Sequence, residues 1–443
     1  MHIALQGCLR AGAIEYGITA DTGGHIQYLL ALVAASAADP DIERIDIVTR
    51  AFDCDFSAHD YRCPVERIDD KITLYRLPTD TPGYLDKQAL AGELDSFTRA
   101  LGERIGRVMP RPDVIHAHYA DAAEVAAGIE ARHGIPFVFT AHSLGRVKQA
   151  CTDAPADAAL ERRIAFEENA LARARLVLAS SRDEAEVQYA GYREYDPGRI
   201  RVLQPGIDAP RFAAGASGER VAAMLARFLA APDKPAILAI ARPVSRKNLA
   251  GLVRAFGQSE HLRAKANLVI VAGTRTRLAA LEPEAEANMR ELLALIDDYD
   301  LHGRIAYPKR HETADVPGFY AWARERGGVF VNPAFNEPFG LTLLEAAAAG
   351  LPVVATDSGG PNDIVAHCRN GMLVSPRDPH ALAGAIDTLL SDRLRWQRCA
   401  RAGARASTDY DWHQHAARYH ALLRDLVSVP RPAPVAASAH LLV

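Results

Sequence analysis

The sequence predicts an α/β protein built from two parallel sheets, one in each half of the chain. Three observations carry that prediction. Short apolar segments alternate with helical patterns through both halves, the pattern of a parallel sheet covered by helices on its two faces. The alternation lapses after Pro205-Gly206 and restarts at Ala236, which marks two such sheets rather than one. Glycines, histidines and charged residues gather where strands end, at the carboxyl edge where sheets of this kind bind ligands.

In the first half the strand segments are His2 to Gln6, Arg44 to Thr49, Ile72 to Leu77, Asp113 to Ala117, Pro136 to Ala141, Leu176 to Ala179 and Ile200 to Leu203. In the second they are Ala236 to Ala241, Asn267 to Ala272, Ile305 to Tyr307, Gly328 to Asn332, Pro352 to Thr356 and Gly371 to Val374. Two Rossmann-like halves are the simplest account. The expected organisation is an N-terminal domain over 1–208, a C-terminal domain over 209–408, a helix within 409–428 that returns to the N-terminal domain, and a disordered Pro/Ala-rich tail over 429–443.

With 443 residues, 49% of them apolar and 24% charged, the chain can bury a large core in the manner of a soluble enzyme. A formal net charge of −4 without a long basic block argues against nucleic acid or an anionic membrane as the main partner. The six cysteines are scattered and form no C-x-x-C pair, which suits reduced thiols in a cytoplasm better than a disulfide framework or a zinc site. No apolar run approaches the ~18 residues of a membrane span, and Met1 to Arg10 turns too early for a signal peptide, so a soluble cytoplasmic protein is expected. The dinucleotide fingerprint and the P-loop are both absent, against a dehydrogenase or a P-loop kinase.

Gly23 and Gly24 precede an apolar helix, where bare backbone and the helix dipole suit a phosphate or a sugar oxygen. His116 and His118 have a spacing open to metal ligands. No third ligand is evident, however, and their rings are expected on opposite faces of the strand, so no metal is expected there. His142 leaves the end of the next strand, with Arg146 and Lys148 close behind. Arg242 and Lys247 follow a strand of the second half and would neutralise a diphosphate as a divalent metal does elsewhere. The D-x-D pairs Asp39/Asp41, Asp53/Asp55, Asp298/Asp300 and Asp409/Asp411 read as solvated surface, and neither an obligatory metal nor a cofactor is expected.

The densest stretch runs from Asn332 to Asp363. Glu337 lies in a loop after an apolar strand, and a helix from Leu341 is ended by Gly350. The first turn, Phe339 to Thr342, offers unpaired N–H groups to an anion or a sugar hydroxyl. Glu337 and Glu345 are eight residues apart, ~12 Å along a helix, too far to flank one glycosidic oxygen as glycosidase carboxyls do at about 5 to 9.5 Å.

This E-x7-E stretch, followed by Asp357-Ser358-Gly359-Gly360-Pro361, resembles the donor site of retaining glycosyltransferases of the GT-B fold, with two Rossmann-like domains facing across a cleft. With ADTGGH, HAHYADAAEVA, TAHSLGRVK, SSRDEAEVQ, ARPVSRKN and AYPKRHE in order, nearly the whole chain is similar to the sucrose-phosphate synthase branch of that family. The resemblance implies transfer of glucose from UDP-glucose or ADP-glucose to fructose 6-phosphate, giving sucrose 6-phosphate. It implies that Gly24 lies by the donor phosphates, His142 and Glu337 by the transferred glucose, and Arg242 and Lys247 on the diphosphate. Phe339, Gly340, Leu341 and Thr342 would supply backbone donors, and Glu345 would bind the ribose. Lys87, Arg146, Lys148 and Arg182 would receive the acceptor phosphate, and a separate sucrose-phosphate phosphatase would act next. His25 and Gln27 depart from the family, which usually has Gln and Lys there. Sucrose synthase, another hexosyltransferase acting on a sugar phosphate, and a catalytically idle sugar-nucleotide sensor are the alternatives.

Overall fold

The computed structural model describes residues 1–428 apart from 16–17, 20, 151–156, 214 and 216–217. The tail expected to be disordered, 429–443, lies outside the described residues, as does Cys151.

The N-terminal half forms an eight-stranded sheet from β1 (His2–Ile3), β2 (Ile45–Arg50), β3 (Val65–Arg67), β4 (Ile72–Leu77), β5 (Ile115–His118), β6 (Phe137–Thr140), β7 (Leu176–Ala179) and β8 (Ile200–Val202). Its order is β3-β4-β2-β1-β5-β6-β7-β8, parallel except for β3, which pairs antiparallel with β4. Strands β2, β5, β6 and β7 are buried at every residue, because helices cover both faces of the sheet.

The C-terminal half forms a six-stranded sheet from β9 (Ala236–Ile240), β10 (Asn267–Val271), β11 (Ile305–Ala306), β12 (Val329–Asn332), β13 (Val353–Thr356) and β14 (Gly371–Val374). The order is β11-β10-β9-β12-β13-β14, parallel throughout. In each sheet the strand order reverses beside a central strand, β1 or β9, and a reversal of that kind opens a crevice at the carboxyl ends.

The chain passes between the halves twice, and the two passages touch. The Ile207 N–H donates to the Tyr410 carbonyl at 2.7 Å, and a Cβ at Gly206 would lie 2.7 Å from the Trp412 ring, so only glycine lets the strands of the joint close. The final helix, Trp412–Ser428, then lies on the first one, Gly24–Ala37. Tyr419 is buried there among Tyr28, Leu32 and Val138. One expectation fails at this joint. Asp39 is not solvated surface: its carboxylate receives His420 Nδ1 at 2.6 Å, and Asp41 receives Arg424 at 2.8 Å, so that pair anchors the helix. Among the described residues, no helix is long and apolar enough to cross a membrane.

Candidate active site

In the C-terminal domain the loops after β9 and β12 are tied together before any ligand arrives. The Phe335 N–H donates to the Arg246 carbonyl at 2.9 Å, and the Asn248 amide donates to the carbonyls of Pro333 and Pro376, both at 3.0 Å. The result is a buried ion pair in which Lys247 Nζ donates to Glu337 Oε2, and Asn332 donates to the same oxygen at 2.9 Å. Burial alone would raise the Glu337 carboxyl, but the Lys247 charge and the two hydrogen bonds outweigh it and hold the carboxyl below its ordinary value. Burial pulls the Lys247 ammonium down, and the Arg246 and Arg242 charges add to that pull against the opposing effect of Glu337.

Both glycines after β13 serve this loop. Gly359 has φ 93°, and a Cβ there would lie 2.2 Å from the Glu337 carbonyl oxygen; at Gly360 it would lie 2.5 Å from Phe339. Gly340, with φ 104°, turns the chain into the helix Leu341–Ala348, whose first-turn N–H groups face outward from the helix itself. Glu345, one turn further, accepts from the Tyr320 hydroxyl at 2.8 Å, and burial raises its carboxyl despite that bond.

In the N-terminal domain Gly24 begins its helix, and a Cβ at Gly23 or Gly24 would meet nothing within 4 Å, so that backbone borders open space. His142 follows β6 with φ 56°, and its Nε2 is 2.9 Å from His118 Nδ1. The expected separation of His116 and His118 is overturned: their ring centroids are 4.1 Å apart, because residues two apart on a strand share a face. A third imidazole is present too. His2 pairs with His116 in register across β1 and β5, and nitrogens of His2, His116 and His118 lie within 4.8 Å of one another. Sequence spacing missed it because the third ring comes from more than a hundred residues away.

The two domains address each other. The Arg242 charge acts on His25 and, with Arg246, on Tyr119, so the segment after β9 is felt at the starts of two helices of the N-terminal domain. The Arg182 N–H donates to Asp363 of the C-terminal domain at 2.7 Å. Of the four cations expected on the acceptor side, Lys87 and Lys148 line one depression with Tyr119, Asp121, Arg162 and Arg163. Arg146 is elsewhere, bound to Glu168 at 2.9 Å and lying over the Tyr192 ring, and Arg182 is exposed at the domain contact. Arg163 went unforeseen: nothing distinguishes it in a charged helix, yet it donates to the Ser143 hydroxyl at 3.0 Å and to Glu167 at 2.9 Å. Glu167 in turn receives the Gly145 N–H at 3.0 Å and so holds the loop that carries His142.

Two facing Rossmann-like domains with a cationic, carboxylate-bearing cleft define a GT-B glycosyltransferase, and the comparisons agree. Residues 224–407 match the family described as glycosyl transferases group 1, and residues 43–211 match glycosyltransferase family 4. The chain is a homologue of the sucrose-phosphate synthases: a probable sucrose-phosphate synthase of Oryza sativa subsp. japonica is 35% identical over 98% of this chain. The chain spans about half the length of the curated relatives it matches, 52% in that case. The sucrose-phosphate synthase structure from Thermosynechococcus elongatus superimposes with a TM-score of 0.77 at 25% identity, covering 96% of this chain and 98% of that one. Anabaena Alr3699/HepE, solved with UDP and glucose, shares the fold with a TM-score of 0.67 at 19% identity, covering 96% of this chain and 98% of that one.

Proposed function

We propose that the protein transfers glucose, with retention of configuration, from UDP-glucose or ADP-glucose to the 2-hydroxyl of fructose 6-phosphate, giving sucrose 6-phosphate. The observation that carries this reading is a depression in the N-terminal domain where Lys87, Lys148, Arg162 and Arg163 gather beside Asp121 and Asp157, in a chain whose C-terminal domain holds the buried Lys247–Glu337 pair. Burial lowers the Lys148 ammonium, the neighbouring Lys87 and Arg163 charges lower it further, and Asp157 and Glu284 offset only part of that fall. Like charges held so close are relieved by an anion, which favours a phosphorylated acceptor over free fructose.

In this reading Arg242, Lys247 and the first turn of the helix Leu341–Ala348 stabilise the charge that develops on the departing nucleoside diphosphate. A divalent cation is not needed for that task. Glu337 and His142 hold the glucose, Glu345 holds the ribose, and the acceptor attacks from the face the diphosphate leaves, so no side chain becomes a covalent nucleophile. Closure of the domains excludes water and limits hydrolysis of the donor. The reaction is placed in the cytoplasm, where the free thiols Cys8, Cys54, Cys63, Cys368 and Cys399 stay reduced.

The test is release of nucleoside diphosphate from UDP-, ADP- and GDP-glucose and from GDP-mannose, each with fructose 6-phosphate or fructose, with and without a chelator. Turnover of a glucose donor with fructose 6-phosphate alone, unaffected by chelation, is the expected result. Equal use of free fructose removes the role given to Lys87 and Lys148. No turnover with any pair moves the sugar-nucleotide sensor to the front.

A further inference from the structure

His142 enters the cleft from a strained backbone. Its φ is 56° and that of Tyr119, just past the neighbouring strand, is 73°, a region that costs a non-glycine residue about 1–2 kcal/mol. Something must hold it there, and the contacts are plain. His142 Nε2 lies 2.9 Å from His118 Nδ1, and His118 Nε2 lies 3.1 Å from His2 Nδ1. The rings of Tyr119 and Tyr28 stand beside His142 at centroid distances of 5.1 and 5.3 Å. His2 and His118 are buried, so water does not compete for these bonds.

A neutral imidazole has one N–H and one acceptor nitrogen. Along three linked rings the protons must therefore all run the same way, and the tautomer of His142 is set by the ring behind it. We propose that His118, backed by His2, is a positioning residue that fixes the orientation and tautomer of the His142 ring for glucosyl transfer. The inference rests on the reading that His142 meets the transferred glucose.

The same rings are not arranged as a metal centre. His116 spends Nδ1 on the Tyr419 hydroxyl at 3.0 Å and Nε2 on the Thr140 hydroxyl at 2.8 Å, while His118 spends both nitrogens on His2 and His142. A cation would have to break these bonds.

Three substitutions separate positioning from filling. In His118→Asn the amide reaches the place of Nδ1 and keeps the link to His142; in His118→Gln it reaches the place of Nε2 and loses that link; His118→Leu keeps neither. With UDP-glucose and fructose 6-phosphate, His118→Asn is expected to hold kcat within about threefold, while the other two lose about 10- to 100-fold with donor KM nearly unchanged, as misplacement of a contacting group does. Nitrogen-15 spectra of labelled histidines, recorded without substrate, should show one His142 tautomer in the wild type and His118→Asn and a mixture in His118→Leu. Equal loss in all three variants, no loss in any, or a mixed tautomer in the wild type overturns the proposal. So does a transition metal bound stoichiometrically to the purified protein and released by His118→Asn. If the wild type transfers no glucose, the functional reading fails, and the spectra still decide the positioning claim.

Discussion

Lys247 and Glu337 share a buried bond, with side chains only 16% and 10% exposed, so neither can be removed without stranding the other. Lys247→Ala should lower kcat by about 10²- to 10³-fold, the usual loss for a group that stabilises transition-state charge. It should also cost about 3–5 kcal/mol of stability, because an uncompensated carboxylate stays buried. Steady-state kinetics and denaturant titration check the two effects, and near-wild-type turnover would remove Lys247 from the reaction. The glycines divide in the same way. Gly359→Ala puts a Cβ 2.2 Å from the Glu337 carbonyl and should destabilise the fold, whereas Gly24→Ala meets nothing within 4 Å and should leave the melting temperature alone while raising donor KM. If Gly24→Ala binds donor as the wild type does, that glycine is a plain turn. At this scale the loop of Glu337 and the helix of Glu345 were legible because their motif is contiguous, whereas the pairing of Lys247 with Glu337 joins residues 90 apart. The third imidazole, His2, was not legible, since its partner His118 is 116 residues away, and Arg163 was not, since in sequence it looks like any other charge on a charged helix.

Among the elements, the helix Trp412–Ser428 does most to join the two ends of the chain. Its Tyr419 hydroxyl meets His116 Nδ1, and its His415 Nε2 meets the Tyr28 hydroxyl at 3.2 Å. Tyr419→Phe leaves a buried imidazole nitrogen without its partner and should cost about 1–3 kcal/mol in a thermal or urea titration. No change in the midpoint would mean that the helix docks by apolar contact alone. Thirteen of the strands were legible because buried parallel strands are written as apolar runs. Strand β3 was not: Val65 and Arg67 are exposed, so an edge strand carries no such run. Asp39 and Asp41 were misread for a related reason, because an acidic pair looks the same in sequence whether it faces water or a returning helix.

For the whole molecule, the histidines under and beside the cleft make stability depend on pH. Burial lowers His25 and His415 from 6.5 to about 4 in the folded protein. The unfolded chain then binds protons that the folded one refuses, so stability is complete above pH ~6.5 and falls as pH drops toward about 4, by up to about 1.4 kcal/mol per pH unit for each histidine. Urea midpoints measured between pH 7 and 4.5 should fall accordingly, and a flat profile would mean these rings are protonated in the native state. That two domains face each other across a cleft was legible through the family resemblance, whereas the order of strands within each sheet lay beyond the sequence, since it depends on which strands pair side by side.

The central claim is metal-free transfer of glucose with retention onto a phosphorylated fructose. It is tested most directly by NMR of the product formed from UDP-[1-¹³C]glucose and fructose 6-phosphate in the presence of a chelator. An α-glucosyl product that still bears its phosphate is the predicted result. A β-glucosyl product, or formation of product only when a divalent cation is restored, would contradict the account.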